Sequence, residues 1–215
     1  YECENTGALG TETSAASGYN GTVNGASAVV DGTRGNVLGL DGNDYIQTTG
    51  HFGNPANVTL AAWVNLTSAD TNGAEVISLG DSVSLRLDAA YAGWGLVGSF
   101  YNGSAWVAVN YSVTLAGTGW HHVAYSFNDS GDEVTLYLDG AVVASANTSS
   151  SISYTLGANS FIGKHGNGDS TFDFNGKIDE ARVYNRALTA SEIATLATDL
   201  TLIDTDQIII TGTSV

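Results

Sequence analysis

Val58-Thr59-Leu60-Ala61-Ala62-Trp63-Val64-Asn65-Leu66 settles the architecture of this chain. Val58, Leu60, Ala62 and Val64 lie on one side of an extended backbone, and Thr59, Ala61, Trp63 and Asn65 on the other. That period of two belongs to a β-strand. The alternation recurs in Trp120-His121-His122-Val123-Ala124-Tyr125-Ser126-Phe127, and again where Val134, Leu136 and Leu138 alternate with Thr135 and Tyr137. Asp129-Ser130-Gly131-Asp132 and Asp139-Gly140 turn the chain between such runs, and Asn102-Gly103 predicts a hairpin between 94–101 and 105–110. Further strands are predicted at 75–79, 82–88, 141–144, 160–164 and 176–184. Asp41-Gly42-Asn43-Asp44 reads as a hairpin turn between 37–40 and 45–48. The lone Pro55 falls in a loop and interrupts no strand.

The ends differ in character. Residues 1–4 read as a short strand and 5–36 as a loop-rich stretch of small residues. One short helix is predicted at 190–197, where Thr189 and Glu192 form a capping box ahead of Ile193 and Leu196. Residues 200–215 return to strand character in Gln207-Ile208-Ile209-Ile210. Residues 1–197 are therefore expected to form one all-β domain and 198–215 a β-forming tail.

Composition narrows the function. The chain has 215 residues, of which 22 are acidic and 6 basic, for a formal net charge of −16. Such a surface repels polyphosphate, which argues against a nucleic-acid partner. An anionic membrane surface is disfavoured in the same way. No run approaches the ~18 apolar residues of a membrane span, so membrane insertion is not expected. What remains is cation binding, or solubility outside the cell, with any export signal already removed. Cys3 is the single cysteine, so no intrachain disulfide forms; a buried free thiol or an intermolecular bridge both stay open.

Several segments, in order, resemble the laminin-G-like jelly-roll family of secreted bacterial and archaeal proteins. They are Leu40-Asp41-Gly42-Asn43-Asp44-Tyr45-Ile46, the Val58–Val64 run, Gly119-Trp120-His121-His122-Val123-Ala124, Leu136-Tyr137-Leu138-Asp139-Gly140 and Phe161-Ile162-Gly163. The longest is Phe174–Leu188, followed by Ser191-Glu192-Ile193. The resemblance implies an all-β, two-sheet antiparallel jelly-roll sandwich of the concanavalin A-like type, with one short C-terminal helix. It says little about function, because the fold hosts lectins, adhesins, enzyme-appended modules and spacers.

The resemblance also implies a structural calcium ion in many members. Calcium takes six to eight oxygens at ~2.3–2.6 Å. The candidate ligands are Glu4, the loop residues Ser17 and Asn20, and Asp179, which by resemblance lies beside the first strand. The chain departs from the family where Ala15 and Ala16 precede Ser17-Gly18, a place that usually carries an Asp. The competing reading is that Asp179 caps a turn or pairs with Arg182.

Catalysis is not expected. Retaining glycosidases place two carboxylates ~5–5.5 Å apart, and the adjacent Asp179 and Glu180 should face opposite sides of a strand. His121 and His122 point apart for the same reason and make no joint metal site. Sugar recognition stacks pyranose rings on aromatics and fixes hydroxyls with polar side chains. Trp94, Tyr101 and Trp106 gather around one predicted hairpin, and the loop Lys164–Asp169 offers His165 and Asp169. These aromatics either line a glycan site or fill the core. The expectation is a secreted, non-catalytic binding or adhesion module for a glycan or cell-surface polysaccharide. The alternative is a self-assembling subunit or spacer of an extracellular fibre or surface layer, associating through the C-terminal strand.

Overall fold

The computed structural model describes residues 19–89 and 95–198. Fourteen strands within them form two antiparallel sheets of seven, the sandwich that the resemblance implies. Sheet A runs, in spatial order, β1 (Thr22–Asn24), β4 (Tyr45–Thr49), β13 (Asn159–Ile162), β6 (Ala74–Leu79), β7 (Val83–Ala89), β8 (Gly95–Tyr101) and β9 (Trp106–Tyr111). Sheet B runs β12 (Ala141–Asn147), β11 (Glu133–Leu138), β10 (His121–Asn128), β5 (Val58–Ser68), β14 (Asn175–Tyr184), β3 (Gly35–Asp41) and β2 (Ser27–Asp31).

The period of two places the core between the sheets. Val58, Leu60, Ala62, Val64 and Leu66 of β5 are buried there, in one cluster with Val83, Leu85 and Leu87 of β7 and Leu96 and Phe100 of β8. Each large apolar side chain buried in this way contributes about 1.5–3 kcal/mol. Phe100 and Phe127, from opposite sheets, bring their ring centroids within 4.5 Å. Tyr125 of β10 is fully buried and needs the space left by Gly98 on β8: a β-carbon there would lie 2.1 Å from the ring. The Tyr125 hydroxyl has no protein partner, and burial pushes its pKa well up.

Two expectations from the sequence fail. The stretch read as loop over 5–36 contains β1 and β2, whose side chains are small and whose strands lie at sheet edges, where one neighbour suffices. Asp41–Asp44 is not a hairpin turn. β3 pairs with β2 and β14 in sheet B, whereas β4 pairs with β1 and β13 in sheet A, so this turn carries the chain from one sheet to the other. Its local chemistry is turn-like all the same: Gly42 has φ +97°, and Asp41 and Asp44 carboxylates accept backbone N–H groups. That chemistry reverses the chain without choosing the next partner.

The helix α1 (Ala190–Thr198) forms as predicted, with Glu192 accepting from Thr189 N at 2.8 Å and Thr189 Oγ1 from Glu192 N at 3.3 Å. Nine residues are too few to hold a helix in water. Ile193 supplies the anchor, packing with Leu188 on Ala61, Ala124, Tyr137 and Tyr184 of the outer face of sheet B. No described helix is long and apolar enough to cross a membrane. The expected strands at 1–4 and 207–210, and Cys3, lie outside the described residues.

Gly98→Ala is expected to lower stability by about 1–3 kcal/mol through overpacking against Tyr125, read as a drop in the urea midpoint. Tyr125→Phe removes a buried, unpartnered hydroxyl and is expected to leave the midpoint unchanged or higher. A stable Gly98→Ala protein would show that the sheets do not interlock at this point.

Candidate functional site

The outer face of sheet A bears a cleft of about 490 Å³. Its floor follows from alternation. Leu85 and Leu87 point into the core, so Arg86 points out; Leu96 and Phe100 point in, so Val97 and Ser99 point out. Trp106 of the edge strand β9 rises on one side, 45% exposed, with Tyr101 beside it at 5.6 Å between ring centroids.

The segment between β13 and β14, residues 163–174, makes the opposite wall. It closes on the sheet because Gly166 has no side chain: a β-carbon there would lie 1.6 Å from the Gly80 carbonyl oxygen. Ser78 Oγ donates to Lys164 O at 3.0 Å, and Asn72 Nδ2 donates to Thr171 Oγ1 at 2.7 Å. His165 and Phe172 are in contact within it, their ring centroids 4.5 Å apart and their planes tilted by 31°. Phe172 in turn covers the guanidinium of Arg86 at 4.1 Å from its ring centroid. Under both, fully buried Glu75 accepts from Arg86 Nε at 2.8 Å.

Asp81 stands at the end of the cleft. His165 Nε2 lies 3.4 Å from its carboxylate, and Asn167 Nδ2 donates to it at 3.3 Å. Burial raises the pKa of Asp81, with His165 pulling the other way. The cleft thus joins an aromatic platform to hydrogen-bonding groups fixed by neighbours, the arrangement that orients a polar ligand with a flat apolar face.

The structure brings together two candidates that the sequence held 59 residues apart, Trp106 and His165. Tyr101 supports Trp106 rather than lining the cleft. Asp169 caps the 3₁₀ turn Ser170–Phe172, accepting from Thr171 N at 2.9 Å and Thr171 Oγ1 at 2.8 Å, and those bonds hold its pKa low. Trp94 lies outside the described residues. Sequence reasoning missed Arg86, Asp81 and Phe172. The one available signal was an outward-facing arginine at the centre of Ser84-Leu85-Arg86-Leu87-Asp88 in a chain so poor in bases.

The calcium candidates fare differently. Glu4 and Ser17 lie outside the described residues, and Asn20 is exposed. Asp179 is buried on the outer face of sheet B, its carboxylate 2.7 Å from Arg34 Nε. A cation at that carboxylate would lie against a guanidinium, so Asp179 does not fit the role. Nor is its partner Arg182, which pairs with Glu180. The separation expected of Asp179 and Glu180 also has another cause. A bulge interrupts β14 between Asp179 and Arg182, and Glu180 takes φ +52°. Strict alternation is lost there, and each carboxylate is claimed by its own arginine. Among the described residues no three His, Cys, Asp or Glu side chains group as metal ligands.

Around Arg34 the outer face of sheet B is filled. Its guanidinium covers Trp63 at 4.3 Å and approaches Trp120 at 5.5 Å. Burial pushes Asp179 up to about 6, against the pull of Arg34. Burial pushes neighbouring His122 down to about 4, aided by Arg182. Relative to ordinary values of ~3.9 and ~6.5, the folded state takes up the Asp179 proton first and the His122 proton last. As pH falls from about 6 towards 4, Asp179 adds stability and His122 removes it. Asp179→Asn should therefore make the melting temperature fall more steeply on acidification than in the unaltered protein. Parallel curves for the two would contradict these assignments.

A comparison with curated protein sequences gave no match. Among solved structures the chain is similar to domain 4 of AbnA, an extracellular arabinanase from Geobacillus stearothermophilus, in complex with arabinotriose. The TM-score is 0.73 at 19% identity, over 92% of this chain and 96% of that one. It is also similar to the binding domain of Paraclostridial mosquitocidal protein 1, with TM-score 0.63 and 18% identity over 83% of this chain. The binding domain of botulinum neurotoxin DC in complex with SialylT gives TM-score 0.59 and 15% identity over 86% of this chain. The chain spans about half of each toxin domain, 47% in both cases. These likenesses show the fold. Residues 40–194 match the concanavalin A-like lectin/glucanases superfamily over most of the chain, and the chain belongs to that laminin-G-type family.

Proposed function

We propose that this protein is a non-catalytic carbohydrate-binding module, acting outside the cell, that takes a glycan in the cleft between Trp106 and the 163–174 segment. The observation that carries this reading is Trp106. A large aromatic nearly half exposed on a sheet face, opposite polar groups already held in place, offers a flat apolar surface on which a sugar ring can stack while its hydroxyls are bonded. The arabinotriose complex of the arabinanase domain supports the reading, since that domain matches this chain over almost its whole length. The cleft volume falls within the ~300–1,000 Å³ of small-molecule sites.

The polar set suits binding rather than hydrolysis. Among the described lining residues Asp81 is the single carboxylate, whereas glycoside hydrolysis needs an acid and a second carboxylate as nucleophile or base. Trp106→Ala is expected to weaken binding to a polysaccharide several-fold, the loss of about 1 kcal/mol of stacking. The circular dichroism spectrum should stay unchanged, because the side chain is not in the core. Neither protein should release reducing sugar. Equal binding by both proteins in titration calorimetry would remove the cleft from the account.

A second reading, a self-associating subunit, rests on the edges of sheet B. Val30 on β2 and Val142 on β12 are 82% and 51% exposed on strands that each pair on one side, and open edges invite pairing with another chain. Lysine at both positions should abolish any dimer seen by sedimentation velocity. A monomeric unaltered protein would dispose of this reading. The proposed association through the C-terminal strand falls outside the described residues.

A further inference from the structure

Every basic side chain of the chain is already paired. The six are Arg34, Arg86, Lys164, Lys177, Arg182 and Arg186. They lie against Asp179, Glu75, Asp173, Asp31, Glu180 and Glu192 in turn. No lysine or arginine is left over, in a chain of formal net charge −16. The histidines do not fill the gap. His165 faces Asp81 and His121 faces Asp139 at 2.8 Å, so protonating either completes an ion pair. His122 is held neutral by burial, and His51 is buried against Tyr154.

The cleft repeats the pattern locally. Its one guanidinium, Arg86, gives Nε to fully buried Glu75 and is roofed by Phe172, so its charge is compensated from beneath. Asp81 adds a carboxylate at the end of the cleft. Recognition of a carboxylate or sulfate group draws its strength from charge-assisted hydrogen bonds to an available cation. Here such a group would meet a cation already neutralised and the carboxylate of Asp81 lining the same cleft. Sugar hydroxyls face no such obstacle. They can donate to Asp81 and to the amide oxygens of Asn72 and Asn167, and accept from Arg86, while Trp106 covers a ring face.

From this charge balance we infer that the ligand is an uncharged glycan, and that uronate-, sialate- or sulfate-bearing sugars are rejected. The inference rests on the cleft reading proposed above. Titration calorimetry of the full chain in chelator-containing buffer tests it. The probes are neutral polysaccharides (arabinan, xylan, β-glucan, galactomannan) and acidic ones (polygalacturonate, sialyllactose, heparin), each against the unaltered protein and Trp106→Ala. The expected result is binding to a neutral probe that Trp106→Ala weakens and salt leaves unchanged, with acidic probes at least about tenfold weaker, as like-charge juxtaposition requires. An acidic probe that binds as well or better, is weakened by Trp106→Ala and is released by salt would overturn the inference while leaving the cleft in place. Binding to no probe, or binding indifferent to Trp106→Ala, would overturn the cleft reading and the inference with it.

Discussion

Glu75 lies on β6 with its side chain wholly out of water, one oxygen accepting from Arg86 and the other without a protein partner. A buried carboxylate survives only with a partner, and removing one member of such a pair costs about 3–5 kcal/mol because a bare charge is left behind. Arg86 is therefore fixed to the sheet, and its flat upper face is the surface on which Phe172 rests. Through that contact the 163–174 segment gains an attachment at its far end, in addition to its hydrogen bonds to Ser78 and Asn72. The wall opposite Trp106 stands where it does because a buried acid holds an arginine in place. The same acid cancels the charge of the cleft's only guanidinium, so one interaction shapes the site and sets its electrostatics.

The two outer faces of the sandwich are treated differently. On sheet B, α1 covers the rows around Ala61 and Ala124, and Arg34 reaches across Trp63 to Asp179. Asp31 completes that layer. Burial alone would raise its pKa, but bonds from Lys177, Thr33 N–H and Trp120 hold it at about 2. These side chains satisfy one another around Trp63, and the hollow of about 530 Å³ that sheet B does carry, over β2, β3 and β14, is lined by small and polar residues such as Ser27, Gly39 and Lys177 with no aromatic side chain. On sheet A the corresponding rows are small, Ser84, Ser99 and Ala108, and the loop covers only part of them. The cleft is the space that small residues and a partial cover leave between them.

Strand positions were legible in the sequence because alternation is a local property. β5, β10 and β11 follow from their patterns, and the Thr189–Glu192 capping box marks α1 to within a residue. Pairing is not local, which is why Asp41–Asp44 read as a hairpin although it joins two sheets. The site was half legible. Trp106 and His165 carry chemistry in their residue types. Arg86 and Phe172, 86 residues apart, acquire theirs only when the 163–174 segment folds over the strand. Asp179 illustrates the opposite case. Its family position suggested a calcium ligand, but Arg34, 145 residues distant in sequence, occupies the carboxylate. No spacing rule along the chain could have revealed that partner.

The central claim is that a glycan rests on Trp106 at the outer face of sheet A. The chain has four tryptophans, and each indole N–H gives its own resonance, so titrating isotope-labelled protein with a neutral oligosaccharide locates the contact directly. The account predicts that the Trp106 resonance shifts and saturates, while that of Trp63, buried beneath Arg34 on the other face, stays in place. A shift at Trp63 or Trp120 with Trp106 unmoved would contradict it and transfer the site to sheet B.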